Sequence, residues 1–144
     1  MKIAYIVSLF PCLSETFILR EIEELSEFGH EITIFSLKRE NKQEIKHIAA
    51  EKFKRATKYP NAMIGFFNFL FFTLFHPVKL LKMVHILIKY NQSDFTHLLK
   101  SLYIVPRVLR FKSVIKRKKT QHIHAHWATI PTTAAWIINY ITEI

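Results

Sequence analysis

The first 37 residues contain two apolar, β-rich runs separated by one amphipathic helix pattern. The runs KIAYIVSLF (2–10) and HEITIFSL (30–37) are short and mostly apolar, as buried parallel strands are. Between them, FILREIEELSEF places Ile18, Ile22 and Leu25 on one helical face and glutamates on the others. A strand, a crossover helix and a second strand in so short a span predict parallel pairing, and therefore an α/β fold.

The rest of the chain predicts several helices and one more strand. In order, the predicted elements are helices over 40–58, 62–75, 77–90 and 93–119, a strand at QHIHAHW (121–127), and a helix over 130–141. We therefore predict one α/β domain with a partial Rossmann-like parallel sheet of about three strands. Helices should cover both faces of this sheet, and a long helical insertion should span about 40–119.

Charge is distributed unevenly along the sequence. Residues 1–51 carry six Lys or Arg and nine Glu, whereas residues 52–144 carry fifteen Lys or Arg against only Asp94 and Glu143. A chain polarised in this way typically presents its basic half to an anionic partner, which is a phosphate-bearing ligand, a nucleic acid or a membrane surface. The alternative is a basic surface that serves solubility alone.

The segment from residue 59 to residue 78 contains no Asp, Glu, Lys or Arg. Its apolar centre, 62–75, is shorter than the ~20 residues that a membrane-spanning helix needs. Aromatic faces flanked by lysines favour a helix that lies in a membrane interface, and a helical hairpin packed on its own domain is the alternative. The residues that we expect at a membrane surface are Phe66, Phe67, Phe69, Phe71, Phe72, Lys79 and Lys82.

Three histidines occupy alternate positions in the predicted third strand, so His122, His124 and His126 should share one face. Histidines in this arrangement can ligate zinc, but a catalytic site needs a third ligand, which Glu15 could supply by approaching in space. We interpret His126, at the end of the strand, as a hydrogen-bonding partner or base, with His124 as the second candidate. We expect no metal there, and we expect His122 to be structural.

The loop after the first strand carries the other group of polar residues. No Gly-rich dinucleotide fingerprint follows that strand. Ser14, Glu15 and Thr16 lie at a helix N-terminus instead, where hydroxyls and backbone N–H groups can bind an oxygen-rich ligand. Capping alone accounts for Ser14 and Thr16, but not for Glu15. Because ligands of open α/β sheets bind at the carboxyl ends of strands, this loop and the end of the histidine strand are the candidate cleft.

Two segments, FPCLSETFILREIEELSEFGHEITIFSL and HIHAHWATIPTTAAWI, are similar to the N-terminal domain of family 4 glycosyltransferases of the GT-B fold. The bacterial branch with the colanic acid and other exopolysaccharide glycosyltransferases resembles them most. That branch typically shows an S-E-T-F-I loop after the first strand, G-H-E/x-V in the second strand, and H-x-H-A-H-F-A after a long helical insertion. Trp127 stands where Phe is more usual.

The resemblance implies an acceptor-side domain that faces a nucleotide-sugar-binding domain across a cleft, with transfer that retains configuration and generally uses no metal. It places Ser14, Glu15 and Thr16 in the cleft that receives a glycan or lipid-linked acceptor, and makes His124 and His126 catalytic. It also implies that 1–144 is an incomplete N-terminal domain, that the donor-binding domain lies outside it, and that this piece is inactive alone. A nucleotide sugar would be the donor substrate, and no bound cofactor is expected.

The resemblance and the basic half together predict a cytoplasmic protein held peripherally on the inner face of the cytoplasmic membrane. The single cysteine, Cys12, fits a reducing compartment, and we expect no nucleic-acid partner. Two other functions remain open from the residues. One is a non-catalytic basic α/β module that binds membrane or nucleic acid, and the other is a metal-dependent hydrolase that uses His124 and His126.

Overall fold

The first three elements form the predicted parallel βαβ unit. The structure, a computed structural model, describes residues 1–12, 16–39 and 52–144. The unit consists of β1 (Lys2–Val7), α1 (Thr16–Glu27) and β2 (Glu31–Ser36), and Ile3 of β1 lies opposite Ile32 of β2. Gly29 ends the turn after α1 with a φ of 81°, a conformation that glycine adopts without strain.

The remaining described elements alternate less regularly. They are a short 3-10 helix (Lys54–Ala56), β3 (Thr57–Lys58), α2 (Ala62–Phe75), α3 (Pro77–Tyr90), α4 (Phe95–Lys118), β4 (His122–Ala125) and α5 (Ile130–Thr142). The side chains of Asn61 and Asp94 cap α2 and α4 by accepting hydrogen bonds from backbone N–H groups. Pro77 begins α3, where its missing N–H breaks no helical hydrogen bond.

The four described strands form one parallel sheet in the order β3-β2-β1-β4. This confirms the predicted α/β class and the partial Rossmann-like sheet, with one strand more than expected. The extra strand, β3, lies inside the predicted helix over 40–58. Residues 40–51 of that prediction lie outside the described residues, but it is wrong for Thr57 and Lys58. Those two pair with Ile34 and Phe35 of β2, because sheet pairing outweighs a local helical pattern.

Helices cover both faces of the sheet, as predicted. On one face, Tyr5 and Val7 of β1 pack against Ile18 and Ile22 of α1. On the other face, alternate residues such as Ile6 pack in a larger core formed with α3, α4 and α5. This two-sided burial follows from the alternation of side chains along a strand, and it explains why β1 is apolar at nearly every position.

The helix α2 contacts the domain along a narrow line and exposes the rest of its surface. Gly65 is buried against α4, and a Cβ at this position would lie only 2.8 Å from the carbonyl oxygen of Pro106. Large apolar side chains on most other sides are exposed. Those of α2 are Met63, Ile64, Phe66, Phe67, Leu70, Phe71, Leu74 and Phe75. Gly65 therefore permits the close approach that fixes α2 to the domain.

Candidate functional site

The three histidines lie on the face of the sheet that α1 covers. β4 pairs with β1, and the register places His122 opposite Ile3 and His124 opposite Tyr5. His126 follows the end of β4, where its backbone N–H donates to the carbonyl oxygen of Ile6. The rings of His124 and His126 are 4.8 Å apart, between their centroids. The histidine row therefore runs toward the carboxyl end of the sheet beside the buried ring of Tyr5.

Glu21 of α1 reaches this row and approaches two of its histidines as well as Tyr5. The hydroxyl of Tyr5 donates to Oε1 of Glu21 at 2.7 Å, and Nε2 of His126 lies 2.8 Å from Oε2. Nε2 of His124 is 3.8 Å from Oε1. Because a carboxylate only accepts hydrogen bonds, His126 donates through Nε2. In neutral His126, Nδ1 is then the ring atom that can accept a hydrogen bond or a proton from a ligand.

Burial and charge set the protonation of two members of this network. Burial raises the pKa of Tyr5, and its hydrogen bond to Glu21 and the negative charge of that carboxylate raise it further. Tyr5 therefore stays a hydrogen-bond donor. Burial also lowers the pKa of His124; the Glu21 charge opposes this shift, while His126 and His122 add to it. His124 is thus predominantly neutral at neutral pH.

Two aromatic residues lie beside the outer end of the histidine row. Phe17, in the first turn of α1, meets the rings of His126 and Trp127 edge-on, each at 5.9 Å between centroids. Trp127 has a φ of 74°, a left-handed conformation that is uncommon for a residue with a bulky side chain. Such strain is concentrated at functional sites, and here it occurs in the turn between β4 and α5.

The predicted cleft residues are only partly described. Ser14 and Glu15 lie outside the described residues. Thr16 begins α1 and is followed by Phe17, so the helix start does lie next to His126. His122 is exposed at the start of β4, on the far side of His124 from His126.

The predicted membrane-surface residues do not all share one environment. Phe66, Phe67 and Phe71 are exposed, each by about 60%. Phe72 is only 3% exposed because it faces the core, so its assignment to a membrane surface is wrong. Phe69 is half-buried against the same core. Lys79 forms an ion pair with Glu143 at 2.8 Å, whereas Lys82 is exposed.

Sequence reasoning missed Glu21 and Tyr5 as members of the site. In the sequence, Glu21 is one of several glutamates outside the apolar face of α1. One signal was present in the sequence, because a tyrosine in a buried apolar strand needs a hydrogen-bond partner for its hydroxyl. That requirement indicates a polar group on the covering helix, although it does not say which one.

The side chains of Glu21, His124 and His126 together have the composition of a metal site. One ligand atom each from Glu21, His124 and His126 lies within 4.8 Å of the other two. Two imidazoles and one carboxylate form a common three-residue ligand set for catalytic zinc. Among the described residues, Glu21 supplies the carboxylate of this ligand set.

By its fold and site, the chain is a partial Rossmann-like α/β domain with a His–Glu–Tyr network near the carboxyl end of its sheet. No protein family, curated protein or solved structure matches it. Among the described helices, none alone is long and apolar enough to cross a membrane. The helices α2 and α3 meet the length and composition criteria only together, and they are bent by 111° relative to each other.

Proposed function

We propose that this chain is the acceptor-side domain of a retaining, nucleotide-sugar-dependent glycosyltransferase that serves bacterial exopolysaccharide or cell-surface glycan synthesis. The observation that carries the proposal is the hydrogen bond of His126 to Glu21 near the carboxyl edge of the sheet. Ligands of open parallel sheets bind at this edge. The two sequence segments that resemble family 4 glycosyltransferases contain both partners of this bond.

The chemistry assigned to His126 is to bind and orient a hydroxyl group in the cleft and to accept its proton. Glu21 holds the ring through Nε2, which leaves Nδ1 to face a ligand. His124, kept predominantly neutral by burial, is the second polar group of the row. In the transfer, the acceptor oxygen forms a bond to the sugar's anomeric carbon and passes its proton to Nδ1 of His126, while the bond from that carbon to the nucleoside diphosphate breaks and the diphosphate leaves.

The test is sugar transfer with a donor-binding domain supplied as a separate polypeptide. The chain alone should not transfer sugar from UDP- or GDP-hexoses to a lipid-linked glycan acceptor. With the added domain, transfer should appear, and His126→Ala should slow it strongly. Persistent inactivity with a donor domain that is folded and binds nucleotide sugar would overturn the proposal.

The peripheral location is part of the same proposal. The exposed phenylalanines of α2 supply apolar area, and Lys82 and Lys89 of α3 add positive charge. Each such lysine near an anionic bilayer contributes about 1 kcal/mol. Sedimentation with phosphatidylglycerol vesicles should fall strongly for Phe67→Glu. Phe28→Glu is the matched control, since Phe28 is exposed beyond the end of α1. Equal losses from both variants would argue against docking through α2.

A metal-dependent hydrolase is a second candidate, favoured by the convergence of Glu21, His124 and His126. Elemental analysis of purified chain tests it directly. One zinc ion per chain, lost in His124→Ala and kept in His122→Ala, would favour this candidate. Zinc far below one per chain, after purification at neutral pH without chelators, would exclude it.

A further inference from the structure

A large pocket lies on the opposite face of the same carboxyl edge, away from the histidine row. It has a volume of about 980 Å³ and reaches the end of β1, the residues after β2, the start of α2, one side of α4 and the start of α5. This volume is enough for a ligand of cofactor or substrate size. None of Tyr5, Glu21, His124 or His126 lines it.

Four cationic side chains from two separate elements converge on this pocket. Lys38 and Arg39 follow β2, and Lys100 and Arg107 come from α4. No described carboxylate lines the pocket, and the ion pairs between described residues involve other cations. Basic residues that merely keep a surface soluble need not converge on one concavity. A concave wall of like charge instead concentrates an anionic ligand.

The contacts of Arg107 suit it to bind a phosphate. Its guanidinium lies 3.7 Å from the ring centroid of Tyr103, which also lines the pocket. Stacking on an aromatic face holds the planar group in place and leaves its N–H donors at the edge of the plane. A guanidinium held in this way binds two phosphate oxygens at once.

One wall of the pocket is continuous with the exposed apolar surface of α2. Met63 lines the pocket and is 72% exposed, and Phe66 and Phe67 follow it along the helix. A ligand with its phosphate among the four cations would therefore have apolar protein surface beside it. A free inorganic anion would use only the cationic half of this arrangement.

We propose that this pocket binds a phosphate- or diphosphate-bearing amphiphile, with the phosphate on Lys38, Arg39, Lys100 and Arg107 and the apolar chain along the start of α2. Identifying this amphiphile as the acceptor rests on the proposed function; its binding does not. The proposal adds a second site to the molecule, and it assigns the basic and apolar regions one shared ligand.

Calorimetric titration of the whole chain with three soluble probes tests the proposal. Farnesyl diphosphate should bind at least about tenfold more tightly than inorganic diphosphate, which lacks the apolar chain, and than farnesol, which lacks the phosphates. Lys100→Ala/Arg107→Ala should weaken farnesyl diphosphate binding by about 100-fold, since charged hydrogen bonds to phosphate are lost. Lys116→Ala/Arg117→Ala is the matched control, because it removes the same charge from an exposed part of α4 outside the pocket.

A second double variant guards against a folding defect in α4. Lys38→Ala/Arg39→Ala changes the part of the pocket that follows β2 without altering a helix, and it should weaken binding similarly. Equal affinity for inorganic and farnesyl diphosphate, or equal losses in the pocket and control variants, would overturn the proposal. The outcome is separable from that of the transfer assay. Probe binding without sugar transfer would refute the glycosyltransferase proposal and support the amphiphile-binding pocket. Sugar transfer without probe binding would support the glycosyltransferase proposal and refute the amphiphile-binding pocket.

Discussion

The two faces of the sheet differ in electrostatics at the same carboxyl edge. On the face covered by α1, Glu21 accepts hydrogen bonds from Tyr5 and His126, so the polar groups satisfy one another. On the other face, Arg107 and three further cations line a pocket with no described carboxylate. A satisfied network positions a proton-transferring group, whereas a concavity lined by several cations attracts an external anion. We therefore assign chemistry to the first face and ligand capture to the second.

The largest expected effect is a loss of transfer activity when the proposed catalytic histidine is replaced. In the transfer assay with an added donor domain, His126→Ala should lower kcat/KM by about 10²–10⁴-fold, the range for loss of a proton-transferring side chain. His122→Ala is the matched control, because His122 is exposed on the same strand face but lies at its far end. Similar losses from both variants would show that the histidine row acts through folding, and that His126 has no special role.

The next effect concerns stability and is confined to the pocket face. Gly65→Ala places a Cβ 2.8 Å from the carbonyl oxygen of Pro106, so α2 must move away from α4. Overpacking of this kind costs about 1–3 kcal/mol, partly offset by the better helix propensity of alanine. Urea unfolding should show a net loss, and farnesyl diphosphate binding should weaken. Ser113→Ala, on the exposed side of α4, should change neither. An unchanged or increased stability of Gly65→Ala would mean that the two helices do not approach so closely.

A smaller effect is expected from the centre of the histidine network. Glu21→Gln keeps the shape of the side chain but removes its charge, which weakens the hydrogen bonds from Tyr5 and His126. We expect a loss of about 1 kcal/mol in the free energy of unfolding. Glu24→Gln, exposed on the same helix, should have almost no effect, and farnesyl diphosphate binding should be unchanged in both variants. Weaker probe binding in Glu21→Gln alone would show that the two faces are coupled.

The smallest effect is a dependence of stability on pH. The pKa of His124 is lower in the folded chain than its ordinary value of 6.5, because burial disfavours the charged form. Below that ordinary value the unfolded chain binds more protons, so the contribution of His124 makes the fold less stable as the pH falls. Between about pH 7 and pH 5, His124→Gln should therefore lose less stability than the unaltered chain. This window lies above the region where Glu31 and Glu143 titrate, since their pKa values are below the ordinary 4.5. If the free energies of unfolding of His124→Gln and of the unaltered chain changed by the same amount across this pH range, the result would argue against a buried His124.

The elements that the sequence predicted well are those whose periodicity and end signals agree. The continuous apolar runs of β1 and β2, the apolar stripe of α1 and the glycine at 29 all indicate the same βαβ unit. The two-residue strand β3 was not predictable, because it is defined by its pairing with Ile34 and Phe35 and has no pattern of its own. The burial of Phe72 was equally hidden, since α2 is apolar on every side and its composition does not indicate which side faces the core.

The sequence by itself determined the class of the fold, the shared face of the histidines and the separation of charge between the two halves of the chain. Each of these depends on spacing along the chain, which local stereochemistry converts directly into a strand face or a helix face. The tertiary structure decided which groups meet. It brought Glu21 within 2.8 Å of His126 across 105 residues, and it gathered Lys38 and Arg107 around one pocket. Contacts between residues so distant in sequence depend on how the helices are placed on the sheet, and no local pattern encodes that placement.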